Sequence, residues 1–149
     1  MIASTLLLAA APTALAQAPL QPFSALIGHC WAGPLDGVPG TDTHCFESVF
    51  GGQHVRDRHR VVSGGREVYA GETLYSAKGA RVIFTYWNSL GGVGTGNATI
   101  SGPQWKFNGT IHATAERAEE PMISTWKMVP GGYEVRNGSA APQLYKRAD

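Results

Sequence analysis

The sequence predicts an all-β domain, an antiparallel up-and-down (meander) barrel of about eight or nine strands behind a short N-terminal helical turn. Two observations carry this. After Gly28 the chain breaks into short runs of alternating polar and apolar residues, at 28–34, 43–50, 53–62, 66–76, 81–88, 94–101, 104–114, 122–129 and from about 133. Between most of them sit turn signals: "DGVPG", Gly51-Gly52, Gly64-Gly65, "AKGA", Gly102-Pro103 and "PGG". A long helical period is missing. Only "PFSALI" before Gly28 and the short "TAERAEE" read as helical.

The first 18 residues, "MIASTLLLAAAPTALAQA", read as a signal peptide. They are uncharged, carry an apolar run from Leu6, and end in Ala14-Leu15-Ala16, a small-residue cleavage pattern that places the cut after Ala16 or Ala18. A membrane anchor fits less well, because Pro12 breaks the run and its length falls short of the ~20 apolar residues that span a bilayer. The expectation is a periplasmic or secreted protein whose residues 19–149 form one domain, roughly 130 residues and enough for a core. The net charge of +1 implies no bulk electrostatic partner, and no basic patch with aromatic platforms points to nucleic acid. No cofactor motif is present. "GGVGTGN", Gly91 to Asn97, lacks the strand–loop–helix setting and the Lys of a phosphate loop and reads as a flexible turn or barrel-mouth loop. No G-x-S-x-G surrounds any serine. The three Asn-x-Ser/Thr sequons, at Asn97, Asn108 and Asn137, matter only where the host glycosylates and read as chance.

Turn positions set a register. If "DGVPG" caps a hairpin, Cys30 faces Cys45 and Trp31 faces His44. Opposed residues hold their Cβ atoms ~4.5–5.5 Å apart, close to disulfide range. In an exported protein such a pair is oxidised, and its spacing is far from C-x-x-C. A turn at Gly51-Gly52 places His44 opposite His59, Phe46 opposite Asp57 and Glu47 opposite Arg56. A turn at Gly64-Gly65 places Val61 opposite Val68, His59 opposite Ala70 and Asp57 opposite Glu72. Two faces then separate. One carries Trp31, His44, Phe46, Phe50, Val55, Asp57, His59, Val61, Ala70, Glu72 and Leu74; the other carries Cys30, Cys45, Glu47, His54, Arg56, Arg58, Arg60 and Tyr69. Alternating arginines require solvent, so the first face is the interior. On the fifth run, either Val82, Phe84 and Tyr86 or Ile83, Thr85 and Trp87 point inward; the greasier pair Val82 and Phe84 selects the first set.

This interior is apolar and aromatic, yet it holds His44, His59, Asp57 and Glu72 in neighbouring rows. A dry core does not tolerate four such groups unpaired, so the face is expected to line a wet cavity.

A short helical turn, "GHCWAG" opening the first strand, and an antiparallel meander resemble the lipocalin-like barrels of the calycin group. The lipocalin signature separates Gly and Trp by one residue; here two separate Gly28 from Trp31. Over most of the mature chain, "GHCWAG", "TDTHCF", "RDRH" and "YWNS" are similar to small exported bacterial proteins of unassigned function. The resemblance implies a central cavity and a small, often apolar, ligand, and supplies no catalytic residues.

Three functions follow as expectations. The first is a small-molecule-binding barrel without catalysis, in which Trp31, Phe46, Leu74, Phe84 and Tyr86 cover the apolar part of a ligand while His44, Asp57, His59 and Glu72 orient its polar end. The second is a metal or haem protein, or an enzyme, that uses the same His and carboxylate groups. The third is an interaction module with a filled core, whose outward arginine stripe meets a partner.

Overall fold

The computed structural model describes residues 15–149. The expected leader, residues 1–18, lies for the most part outside them. A 3-10 helix spans Ala18–Ala25. Ten strands follow in chain order: β1 (Cys30–Leu35), β2 (Val38–Val49), β3 (His54–Ser63), β4 (Arg66–Lys78), β5 (Arg81–Asn88), β6 (Gly91–Ser101), β7 (Gln104–Thr114), β8 (Glu120–Val129), β9 (Gly132–Asn137) and β10 (Gln143–Arg147). Each strand pairs antiparallel with its neighbours in sequence, and β10 returns to β1, closing the barrel. The all-β meander is therefore as expected, with one strand more than the upper count. The last run splits at Gly138, whose φ of +56° turns the chain between β9 and β10. Among the described residues no helix is long and apolar enough to cross a membrane.

The register of the first three strands matches the turn arithmetic. Cys30 pairs with Cys45, Trp31 with His44, His44 with His59, Phe46 with Asp57 and Glu47 with Arg56. The two cysteines form a disulfide. The tip of the first hairpin is tighter than "DGVPG" suggested, with Leu35 opposite Val38, and an irregularity between Gly33 and Leu35 absorbs the difference.

The β3–β4 register departs from expectation. Val61 pairs with Tyr69, but Val62 pairs with Glu67, so Val68 is an extra residue in the ladder. One extra residue exchanges the two faces of everything beyond it. His59 faces Gly71 rather than Ala70, and Asp57 faces Thr73 rather than Glu72. Glu72 and Leu74 are corrected to the outer wall, opposite Arg58 and Arg56, while Tyr69, Gly71, Thr73 and Tyr75 turn inward. Phe50 is also corrected. It sits in the β2–β3 turn at φ +51° and is 74% exposed.

Two further readings change. Gly91 to Asn97 is strand, not a flexible turn or mouth loop. Gly96 explains why glycine serves there: a Cβ would come within 2.7 Å of the Phe84 ring. "TAERAEE" forms no helix. β7 runs to Thr114, and a turn closed by Arg117 N–H donating to the Thr114 carbonyl at 3.2 Å leads into β8.

One end of the barrel is plugged. Phe23, Leu20 and Leu26 of the helical segment are buried, and the Phe23 ring lies 4.6 Å from Tyr75 and 4.8 Å from Trp105. Trp31 Nε1–H donates to the Leu26 carbonyl at 3.2 Å, which ties β1 to this plug. Above it an aromatic layer fills the middle: Trp105 stacks on Trp126, Trp126 on Tyr133, and Tyr133 on Tyr145.

Candidate functional site: an interior cavity with a buried His–Asp network

Above the aromatic layer lies a cavity of about 160 Å³. Tyr75, Phe84, Phe107, Trp126 and Tyr133 form its apolar walls; Asp42, His44, His59, Tyr86 and Tyr145 form the polar side. Intermediate or exposed residues, Leu35, Ile111, Met122 and Asn137, surround its other end, away from the plug.

The polar side is one connected network. Asp42 is fully buried. Its Oδ1 accepts from His59 Nδ1 at 3.0 Å; its Oδ2 accepts from His44 Nε2 at 3.0 Å and from the Tyr145 hydroxyl at 2.9 Å. His44 Nδ1 reaches Asp57 Oδ2 at 2.8 Å. Both ring nitrogens of His44 thus face carboxylate oxygens, which only accept, so both carry protons and the ring is an imidazolium. Burial disfavours that charge, but Asp57 and then Asp42 outweigh it and raise the His44 pKa to about 10. Burial likewise pushes the Asp42 carboxyl up; the hydrogen bonds from His44 and His59, and the His44 charge, overcome it and hold Asp42 well below the usual carboxylate range.

His59 offers Nδ1–H to Asp42, which leaves Nε2 to accept from the Tyr86 hydroxyl at 3.2 Å. Tyr86 in turn shares a short hydrogen bond with the Tyr69 hydroxyl. Burial, and then Tyr69, push the Tyr86 phenol far above its usual pKa, and burial and Asp42 do the same for Tyr145. Both therefore remain O–H donors. Asp57 Oδ1 and the Tyr133 hydroxyl are buried without a hydrogen-bond partner among the described residues.

The network does not converge as a metal site would. Asp42, His44 and His59 are close enough together to be considered as ligands. The two imidazoles, however, stack with planes 14° apart and centroids 4.6 Å apart. Ring nitrogens bind metal in the ring plane, and an ion in one of these planes lies off the other. Each nitrogen of His44 is also already engaged by a carboxylate.

Of the residues expected to contact a ligand, His44, His59, Phe84 and Tyr86 line the cavity. Trp31, Phe46 and Asp57 are buried in the core without lining it. Glu72 instead borders an open depression of about 620 Å³ on the outer wall, with Arg58, Arg60, Glu67 and Trp87. That depression is larger, but its charges face water, where they are screened. Sequence reasoning missed Asp42, Thr73 and Tyr145. Asp42 was within reach of it, since strand alternation puts it on the His44 face; Thr73 needed the bulge, and Tyr145 needed barrel closure.

Neither known protein families nor curated proteins match this sequence. Among solved structures, the crystal structure of Rv2717c from M. tuberculosis superposes with a TM-score of 0.56 over 89% of this chain and 99% of that one, at 14% identity. At that identity the likeness is one of fold, a closed antiparallel barrel.

Proposed function

We propose that this protein is an exported small-molecule-binding barrel without catalysis, and that the interior cavity is its site. The observation that carries the reading is an aromatic-walled space that the side chains leave open, with a connected His–Asp–Tyr network on one side. A core built for stability alone is packed with few voids larger than a water molecule, and buried ionic groups there are a net cost. The network holds its hydroxyls and imidazoles in fixed directions, which gives a ligand a rigid polar wall. A filled-core module does not account for the space, and a metal centre does not fit the parallel rings. Volume restricts the ligand. Sites for drug-sized molecules run to ~300–1,000 Å³, whereas a cavity of ~150 Å³ takes benzene. Export is supported by the leader-like residues 1–18 and by the disulfide.

Native mass spectrometry of the oxidised protein isolated from cells tests this. The expected result is a bound organic species of low mass that denaturing spectra lose. Identical native and denatured masses, together with no thermal shift from any of a panel of small aromatic compounds, refute it.

A further inference from the structure

We propose that the cavity selects a small organic cation, an ammonium group on an apolar body about the size of a benzene ring, over neutral and anionic molecules of the same shape. This rests on the ligand-binding reading above and specifies the ligand's charge.

The buried charges carry the argument. Asp42 and Asp57 are 0% and 2% exposed, and both lie on the His44 side of the cavity. Against these two carboxylates stands one imidazolium that geometry requires, His44. His59 has a carboxylate at only one nitrogen; a hydroxyl able to donate faces the other. No Lys or Arg lines the cavity among the described residues. Arg56, Arg58 and Arg60 belong to the opposite face of β3, where Glu47 bonds Arg56 at 2.8 Å and Arg58 at 3.2 Å. The interior therefore holds an excess of negative charge in a medium that screens poorly.

Two other features agree. Tyr75, Phe84 and Phe107 line the cavity beside the stacked Trp126 and Tyr133, and this aromatic lining suits the apolar body of such a cation. Asp57 Oδ1 and the Tyr133 hydroxyl, both buried, lack partners among the described residues. Tyr133 lines the cavity, and after burial itself the Asp57 carboxylate is the largest influence pushing the Tyr133 phenol upward in pKa. An anion entering this space meets repulsion from the carboxylates. A cation offsets the excess charge, and its apolar body packs against the aromatic walls.

An isosteric series separates charge from shape. Benzylammonium, benzyl alcohol and benzoate are titrated calorimetrically into the oxidised protein at neutral pH. Benzylammonium is expected to bind about tenfold or more tightly than benzyl alcohol, and benzoate more weakly than either. Asp57→Asn should shrink the advantage of the cation without improving the binding of benzyl alcohol; if that variant fails to fold, the wild-type series decides alone. Equal affinities, or tighter binding of benzoate, overturn the charge inference while leaving the cavity as a ligand site. Failure of all three to bind overturns the cation inference, and the ligand-binding reading falls with it where native and denatured masses also coincide.

Discussion

His44 and His59 stack ring on ring at 4.6 Å, and the single carboxylate of Asp42 bonds to both. Asp42 is therefore the hub of the network. Asp42→Asn leaves the His44 imidazolium short of one counter-charge in a buried site, and is expected to destabilise the fold by ~3–5 kcal/mol. Glu72→Gln, on the outer wall, should fall within ~0.5 kcal/mol of wild type. Urea unfolding of both variants checks the network and the β4 register together, because a large cost for Glu72→Gln would return that residue to the interior.

Stability should peak in mildly acidic solution. Folded His44 keeps its proton to about pH 10, against an ordinary 6.5. The folded state thus binds more protons between those values, and stability falls as pH rises through them. Asp42 is held below its ordinary 3.8, so its contribution is lost as pH falls past that value. Unfolding midpoints at about pH 5 should exceed those at about pH 9, and His44→Gln should flatten the alkaline decline. An unchanged alkaline slope in that variant would remove His44 as the cause.

Gly71 faces His59 across the β3–β4 ladder, and an added Cβ would overlap His59 Nε2 and the Tyr86 ring. Gly71→Ala is expected to cost ~1–3 kcal/mol through overpacking. It should also displace the His59–Tyr86 hydrogen bond, visible as a shift of the His59 ring resonances. A stable variant with unmoved resonances contradicts the contact.

The inside-out assignment of β2 and β3 has a direct contrast. Phe46 is 2% exposed, and Phe46→Ala should cost ~3–5 kcal/mol. The Arg58 side chain is 60% exposed, and Arg58→Glu should change stability by little more than ~0.5 kcal/mol. Similar costs for the two would reverse the faces.

The Cys30–Cys45 disulfide closes a loop of 15 residues, for which chain entropy gives ~3 kcal/mol. Thiol titration of the unfolded, unreduced protein should find no free thiol. Reduction should lower the unfolding midpoint accordingly, and two titratable thiols before reduction would contradict the bond.

The sequence alone was enough for whatever depends on period-two alternation and local turns. It settled the meander, the opposition of Cys30 to Cys45 and of His44 to His59, the outward arginines, and the inward direction of Phe84 and Tyr86. Such features are local: a strand alternates its side chains by geometry, and a glycine turn fixes what pairs beside it. Three features were decided by tertiary structure. The extra residue at Val68 reverses β4 and moves Glu72 and Leu74 out of the interior. Alternation alone does not mark a bulge, because both faces of β4 carry plausible core residues. The glycine-rich β6 is a strand because its neighbours, Phe84 among them, fill the space its missing side chains leave. Barrel closure carries Tyr145 to Asp42, 103 residues away in sequence, and completes the network. A buried carboxylate needs donors from every side, and a single strand with its neighbours supplies only some of them.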